Sequence, residues 1–276
     1  MSLTQAFILG IIQGLTEFLP ISSSGHLVIF QNLFGLKEPD LFFDVALHVG
    51  TLMAILIVLR QDVCSLVKGT FCFLVYRMRS QMDKIDDQDK TMARFAGLIF
   101  IGLIPTAALG FFLQDVFRLL FSSLLAVGMM LIITGTLLWL TKTTGEGTKD
   151  NANMSVLDAI IIGFVQGLSI APGISRSGAT ISFGLFRKLK KMVAIRFSFL
   201  LSIPAILGAI ILEWENPLLH EGELLNVISG TLTAALAGYI CLNMLIRVVQ
   251  KGHFHFFSPY CWAMGSMTIV LSFILK

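Results

Sequence analysis

Apolar residues in this chain gather into long runs and show no strand-like alternation. Residues 41–59, 95–113, 119–140, 193–212, 224–246 and 256–275 each approach or exceed the ~20 residues a helix needs to cross a bilayer. Two other apolar regions, 3–34 and 155–186, are broken in the middle by Pro, Ser and Gly, as a helical hairpin that enters and leaves on one side would be. The pattern predicts an all-α integral membrane protein: six transmembrane helices plus two re-entrant helical hairpins, forming a single membrane domain over residues 1–276.

Composition agrees. Of 276 residues, 55% are hydrophobic and 13% charged, against roughly 45–50% and about 25% in soluble domains. The opening MSLTQAF has no basic region and no small-residue cleavage site, so no removable signal peptide is expected. Cys64, Cys72, Cys241 and Cys261 have no CxxC or Cys/His spacing and read as small apolar fillers between packed helices. A net charge of +3 gives no reason to expect a nucleic-acid partner.

The placement of charge says more than its sum. Of the 20 Lys and Arg, seven lie in 60–94, two in 141–154, five in 187–196 and two in 247–251. Only Lys37, Arg118 and Lys276 occupy the other loops and ends, and Arg176 stands inside a motif. By the positive-inside rule the basic segments face the cytoplasm, with 60–94 as a cytoplasmic loop. The turn 213–223 carries Glu213, Glu215, Glu221 and Glu223 without Lys or Arg, as an outer loop can. The six spans alternate correctly only if 3–34 dips from outside and 155–186 from the cytoplasm, with both chain ends outside. Trp139, Trp214 and Trp262 near span ends suit an interfacial aromatic belt. His253 and His255 flank a basic turn and read as interfacial.

The two broken regions are copies of each other. At an offset of 153, GIIQGLTEFLPISSSGHL (10–27) lies over GFVQGLSIAPGISRSGAT (163–180), with eight identities in eighteen positions. Three spans separate the copies, so they point in opposite directions. That is an inverted-topology repeat, with a first unit of about 3–140 and a second of about 155–275, in which broken helices meet near the bilayer midplane. The GxxxG pairs Gly10/Gly14 and Gly163/Gly167 read as close helix packing. Ser and Gly after Pro20 and Pro172 stand where helix N-caps would, and helix N-termini favour phosphate.

Chemistry appears where the repeat fails. Glu17 lies over Ile170, His26 over Ala179, and Ser23 over Arg176. Ionisable residues near the bilayer centre cost about 2.5–3.5 kcal/mol each on insertion scales, which marks them as functional candidates. Gln13 and Glu17 are four apart and share a helix face. Arg176 brings a planar fork suited to phosphate oxygens, and His26 exchanges a proton near neutral pH or attacks phosphorus itself. His48, in FDVALHVGT, reads as a packing histidine hydrogen-bonded near Asp44.

At QGLTEFLPISSSGH (13–26) and PGISRSGAT (172–180) the chain resembles the undecaprenyl-pyrophosphate phosphatase family of the bacitracin-resistance type, and the resemblance runs the whole length. It implies a multi-pass enzyme of the bacterial inner membrane that hydrolyses a C55 polyprenyl diphosphate, recycling the lipid carrier for cell-wall synthesis. It also implies a divalent cation, Mg²⁺ or Ca²⁺. Carried onto this chain, the acidic motif falls on Gln13 and Glu17, the Ser/His element on Ser22, Ser23 and His26, and the phosphate-binding element on Ser175, Arg176, Ser177 and Thr180. Some members have Glu where this chain has Gln13, which leaves Glu17 as the main acidic candidate for metal. The nucleophile is open between Ser23 activated by His26, His26 itself and a metal-bound water, with the Ser23/His26 partnership preferred. The alternative function is a flippase of the dephosphorylated carrier, since inverted repeats are also a transporter trait. The sequence sets no oligomeric state, and a homodimer is compatible with it.

The charge asymmetry has a direct test. With native cysteines replaced, cysteines at Lys84 and Lys149 should resist a membrane-impermeant thiol reagent in intact cells, and one at Glu221 should label. External labelling at position 149 would overturn the span count.

Overall fold

A computed structural model describes residues 1–34, 41–121, 123–213 and 223–274; Lys37, Trp214, Glu215, Glu221 and Lys276 lie outside them. The described chain is helical, and its one strand-like feature is an isolated bridge between Lys149 and Leu189. In order the helices are α1 (Leu3–Phe18), α2 (Ser23–Leu33), α3 (Leu41–Val58), α4 (Arg60–Met78), α5 (Asp87–Phe112), α6 (Gln114–Phe121) and α7 (Leu124–Leu140). Then come α8 (Val156–Leu168), α9 (Arg176–Phe186), α10 (Lys191–Glu213), α11 (Glu223–Gln250) and α12 (Ser258–Ile274).

Among the described residues five helices are long and apolar enough to cross a membrane: α5, α10, α11, α7 with the 3₁₀ turn Thr141–Thr143 that follows it, and α12 with the 3₁₀ turn Phe254–Phe257 that leads into it. The expected span 41–59 is α3, which bends by 77° into α4, and the pair counted as one broken span makes six. The segment 60–94, expected as a loop, is instead helical as α4 and again from Asp87 onward. Charge counts locate a side of the membrane but do not separate helix from loop. Here α4 is fixed by contacts: Arg196 Nε pairs with Asp62 at 3.0 Å, and a Cβ on Gly69 would lie 2.7 Å from Met92 on α5. The expected span 119–140 is also divided. Ser123 caps α7 by accepting the Ala126 N–H at 3.3 Å, so residues 119–121 end α6 instead.

The two broken regions form the helix pairs α1/α2 and α8/α9, and α2 and α9 occupy equivalent residues at the offset of 153. Each first helix packs against a helix of the other half, α1 on α11 and α8 on α5. Glycine makes this approach possible. A Cβ on Gly163 would stand 1.9 Å from the Gly102 carbonyl oxygen, and one on Gly10 would stand 2.5 Å from that of Gly230. Thr106 Oγ1 donates to the Gly163 carbonyl at 2.8 Å across the same seam. Close packing is therefore what the GxxxG pairs do. Around them Phe18, Ile21, Phe197, Phe199 and Leu242 form a buried core. Of the cysteines, Cys241 and Cys261 are buried fillers, whereas Cys64 is exposed and Cys72 partly so.

The repeat extends to the helix caps. Ser2 and Gln5 form a capping box on α1, and Ser155 and Asp158 form the equivalent box on α8. Gln5 Nε2 also reaches the Phe34 carbonyl at 3.4 Å, and Asp158 reaches Arg187, the residue equivalent to Phe34, at 2.7 Å. Each pair is thus tied at its open end by the third residue of its first helix. The second tie is ionic: buried Asp158 also receives Lys149 Nζ at 2.8 Å, and Arg94 donates to the Met154 carbonyl at 2.6 Å beside it.

Asp158→Asn leaves Lys149 and Arg187 without their shared carboxylate. We expect a loss of roughly 2–3 kcal/mol, below the ~3–5 kcal/mol of a fully buried pair because both cations reach water. Asp150→Asn, at an exposed pair with Lys190, should leave the apparent melting temperature in detergent unchanged. Equal melting of both variants would remove the ionic tie from the account.

Candidate active site

The site forms where the two breaks meet. Leu19 precedes Pro20 and is extended, which ends α1 at Phe18. The chain then turns through Ser22 with φ of 70°, a left-handed conformation uncommon for a residue with a side chain. There Ser22 Oγ accepts the Gly173 N–H of the opposite break at 3.1 Å. Gly173 itself has φ of 95°, and a Cβ on it would lie 2.4 Å from the Val127 carbonyl oxygen of α7, so turn and close approach both require glycine. Ser177 Oγ donates to the Phe18 carbonyl at 3.0 Å, and Cys261 Sγ donates to the Pro20 carbonyl at 3.3 Å. Ser175 caps α9 by accepting the Gly178 N–H at 3.1 Å, while its own N–H donates to Thr134 Oγ1 at 3.1 Å.

This frame brings Glu17 and Arg176 together. An Arg176 amino group donates to Glu17 Oε1 in a short contact between the two halves. The other oxygen, Oε2, accepts Ser23 Oγ at 2.8 Å and Gln13 Nε2 at 3.1 Å. Glu17 is only 7% exposed, so its charge is held by these three donors in place of water. A carboxylate only accepts, which fixes the Gln13 amide with its nitrogen inward. The same nitrogen donates to His48 Nδ1 at 3.1 Å, and that ring nitrogen lies 3.9 Å from Glu17 Oε2.

The sequence-derived residues divide into two groups. Gln13, Ser23 and Arg176 each contact Glu17. Ser22, Ser175, Ser177 and Thr180 are buried and spend their hydroxyls inside the protein. Thr180 Oγ1, for example, donates to the Arg176 carbonyl at 2.7 Å. The structure does not pair Ser23 with His26: Ser23 donates to Glu17, whereas His26 places Nδ1 2.8 Å from the Ser22 carbonyl and Nε2 2.6 Å from Tyr260 Oη. His48, assigned to packing near Asp44, belongs instead to the open edge of the site beside Gln13. The rule that singled out Glu17, an ionisable group in an apolar run, also applied to His48. Tyr260 and Thr134 carried no sequence signal, because only the tertiary fold brings α12 and α7 to the breaks.

Among the described residues no cluster of three or more His, Cys, Asp or Glu could hold a metal ion. Gln13 Oε1, however, is buried with no hydrogen-bond partner and lies on the same side chain that contacts Glu17. One carboxylate and one orphan amide oxygen suit a hard cation of the Mg²⁺ type, which takes the rest of its ligands from substrate phosphate and water.

Known proteins resemble this chain along nearly its whole length. An undecaprenyl-diphosphatase of Desulfosudis oleivorans is 50% identical over 266 residues, 96% of this chain and 97% of its own. One of Desulforapulum autotrophicum is 44% identical over 280 residues, 99% of this chain and all of its own. One of Alkaliphilus metalliredigens is 40% identical over 278 residues, with the same coverage of this chain. The family described as bacitracin resistance protein BacA matches residues 6–267, spanning both breaks, and this chain belongs to that family.

Proposed function

We propose that this chain hydrolyses the phosphoanhydride of undecaprenyl diphosphate, releasing inorganic phosphate and returning the lipid monophosphate for cell-wall synthesis, an activity that confers bacitracin resistance. One observation carries the reading: a carboxylate, a hydroxyl and a guanidinium from two opposed breaks converge at a single buried point. Packing alone gives no reason to gather them there. The names of the relatives point to the same reaction.

Phosphoryl transfer is governed by positioning and charge stabilisation. Arg176 exchanges its contact with Glu17 for oxygens of the terminal phosphate, which its planar fork matches. Ser23 Oγ attacks the terminal phosphorus, the bond to the bridging oxygen breaks, and undecaprenyl phosphate leaves. Glu17 Oε2, already the acceptor of the Ser23 hydroxyl, takes its proton. Water then displaces the serine oxygen, Glu17 returns the proton to it, and the protons of water leave with the phosphate. Ser175, Ser177 and Thr180 hold the start of α9 so that Arg176 keeps its aim. A divalent cation, Mg²⁺ or Ca²⁺, would be held by Glu17 and Gln13 Oε1 and would neutralise diphosphate charge.

In the membrane we read α1/α2 and α8/α9 as re-entrant hairpins of an inverted repeat with six spans. Their open ends support opposite orientations: the first has uncharged Ser2, Gln5 and Phe34, and the second has Lys149, Asp158, Arg187 and Arg94. With the basic end cytoplasmic, Glu17, Ser23 and His26 belong to the hairpin that opens outward. The active site then faces the outer side of the inner membrane, and the diphosphate head never crosses hydrocarbon.

Purified protein in detergent should release phosphate from undecaprenyl diphosphate, and a chelator should reduce the rate. A flippase has no compartments to work between in detergent, so a complete absence of phosphate release would favour that alternative. Within the site, Arg176→Lys retains charge but loses the fork, and Glu17→Gln loses the base. Each should lower turnover by about two orders of magnitude, while Gln13→Glu stays active. Near-normal turnover of Arg176→Lys in well-inserted protein would reduce Arg176 to a packing role.

A further inference from the structure

His26 is almost fully buried, yet both of its ring nitrogens are engaged. The partner of Nδ1, at 2.8 Å, is the Ser22 backbone carbonyl. A carbonyl can only accept, so Nδ1 carries the proton. In the neutral ring Nε2 is then the sole basic nitrogen, and it faces the Tyr260 hydroxyl at 2.6 Å. Tyr260 is therefore the donor of that bond. The two rings lie nearly parallel and meet edge to edge through this bond, with centroids 5.8 Å apart and planes 14° from parallel.

This contact is not a by-product of helix packing. The principal partner of α12 is α7, and α12 reaches the first break through consecutive side chains. Tyr260 binds His26, and the adjacent Cys261 binds the Pro20 carbonyl at 3.3 Å. Tyr260 is 41% exposed whereas His26 is 6% exposed, so the phenol stands between the imidazole and the surface of the helix bundle. Meanwhile the hydroxyl one turn before His26, Ser23, already has Glu17 as its acceptor.

We propose that Tyr260 is a positioning residue of the hydrolysis, fixing His26 in one tautomer with its only basic nitrogen directed at α12. His26, held at both ring nitrogens, thereby braces the Ser22 turn that leads into Ser23, and the Ser23–Glu17 pair carries the proton transfer. Nothing else in the described structure holds Nε2. The assignment rests on the hydrolase reading above and names a residue on which that reading does not depend.

The test compares Tyr260→Phe, which keeps the ring and removes only the hydroxyl, with Tyr260→Leu, which removes both. Wild-type protein in detergent must first release phosphate from undecaprenyl diphosphate; failure at that step sinks the hydrolase reading itself. Given wild-type activity, Tyr260→Phe should lower kcat about tenfold, the scale of losing an outer partner that orients a functional histidine, with KM within about twofold. Its apparent melting temperature should match wild type, and Tyr260→Leu should be at least as impaired. In ¹⁵N-histidine-labelled protein the Nε2 resonance of His26 should shift in Tyr260→Phe while Nδ1 stays in place. Wild-type kcat in Tyr260→Phe would overturn the proposal, whether or not Tyr260→Leu is impaired. A loss in Tyr260→Phe that follows a lowered melting temperature, with Nε2 unshifted, would also overturn it and leave Tyr260 as a packing residue.

Discussion

The ion pair between Arg176 and Glu17 is the constraint around which the rest of this molecule is arranged. Bringing two charges into an apolar bundle costs more than their attraction alone returns unless further donors complete the carboxylate. Ser23 and Gln13 do so on one oxygen and Arg176 on the other. Those groups come from two helix breaks far apart in sequence, so the breaks must be held in register. Side-chain hydroxyls spanning Ser22 to Gly173 and Ser177 to Phe18 provide that register. Glycine-lined seams between α1 and α11 and between α8 and α5 carry the fold.

The two hairpins show how a duplicated frame becomes asymmetric. α1 continues to Phe18, whereas α8 stops at Leu168, equivalent to residue 15. Pro172 lies one position earlier in its repeat than Pro20, and Ser169, Ile170 and Ala171 turn ahead of it through N–H bonds to the carbonyls three residues back. The extra residues of α1 keep Glu17 one helical turn from Gln13 and directed inward. Ile170, the counterpart of Glu17, falls in the turn, 38% exposed and against Gly110. A change in helix length, as well as residue identity, therefore leaves a buried carboxylate in one helix pair and an arginine in the other.

Much of this was legible in the residues themselves. Long apolar runs located five candidate spans, although α5 starts at Asp87, well before its apolar run, and the offset of 153 aligned the breaks and the residues that differ between them. What remained hidden depended on contacts between distant segments. The bend after Val58 has no Pro or Gly to announce it. Just after the left-handed turn at Ser22, Ser23 takes Glu17 as its partner and His26 takes Tyr260 of α12. Tyr260 is one of three tyrosines in the chain and has no spacing relation to either break. His48 was visible as an ionisable group in an apolar run, but its distance from the motifs in sequence concealed its contact with Gln13.

The exchange of partners between halves also bears on how such a protein is made. The first hairpin leaves the ribosome at the outset, but the helix that receives α1 is α11, near the end of the chain. Until α11 arrives, the glycine face of α1 has no backbone to lie against, and Glu17 has no reason to remain in the apolar layer. Arg176 likewise emerges only in the second half. The nascent enzyme is thus silent by architecture. A truncated chain that inserts its first four or five helices would be an inert membrane fragment, unable to expose lipid carrier to an unfinished catalyst.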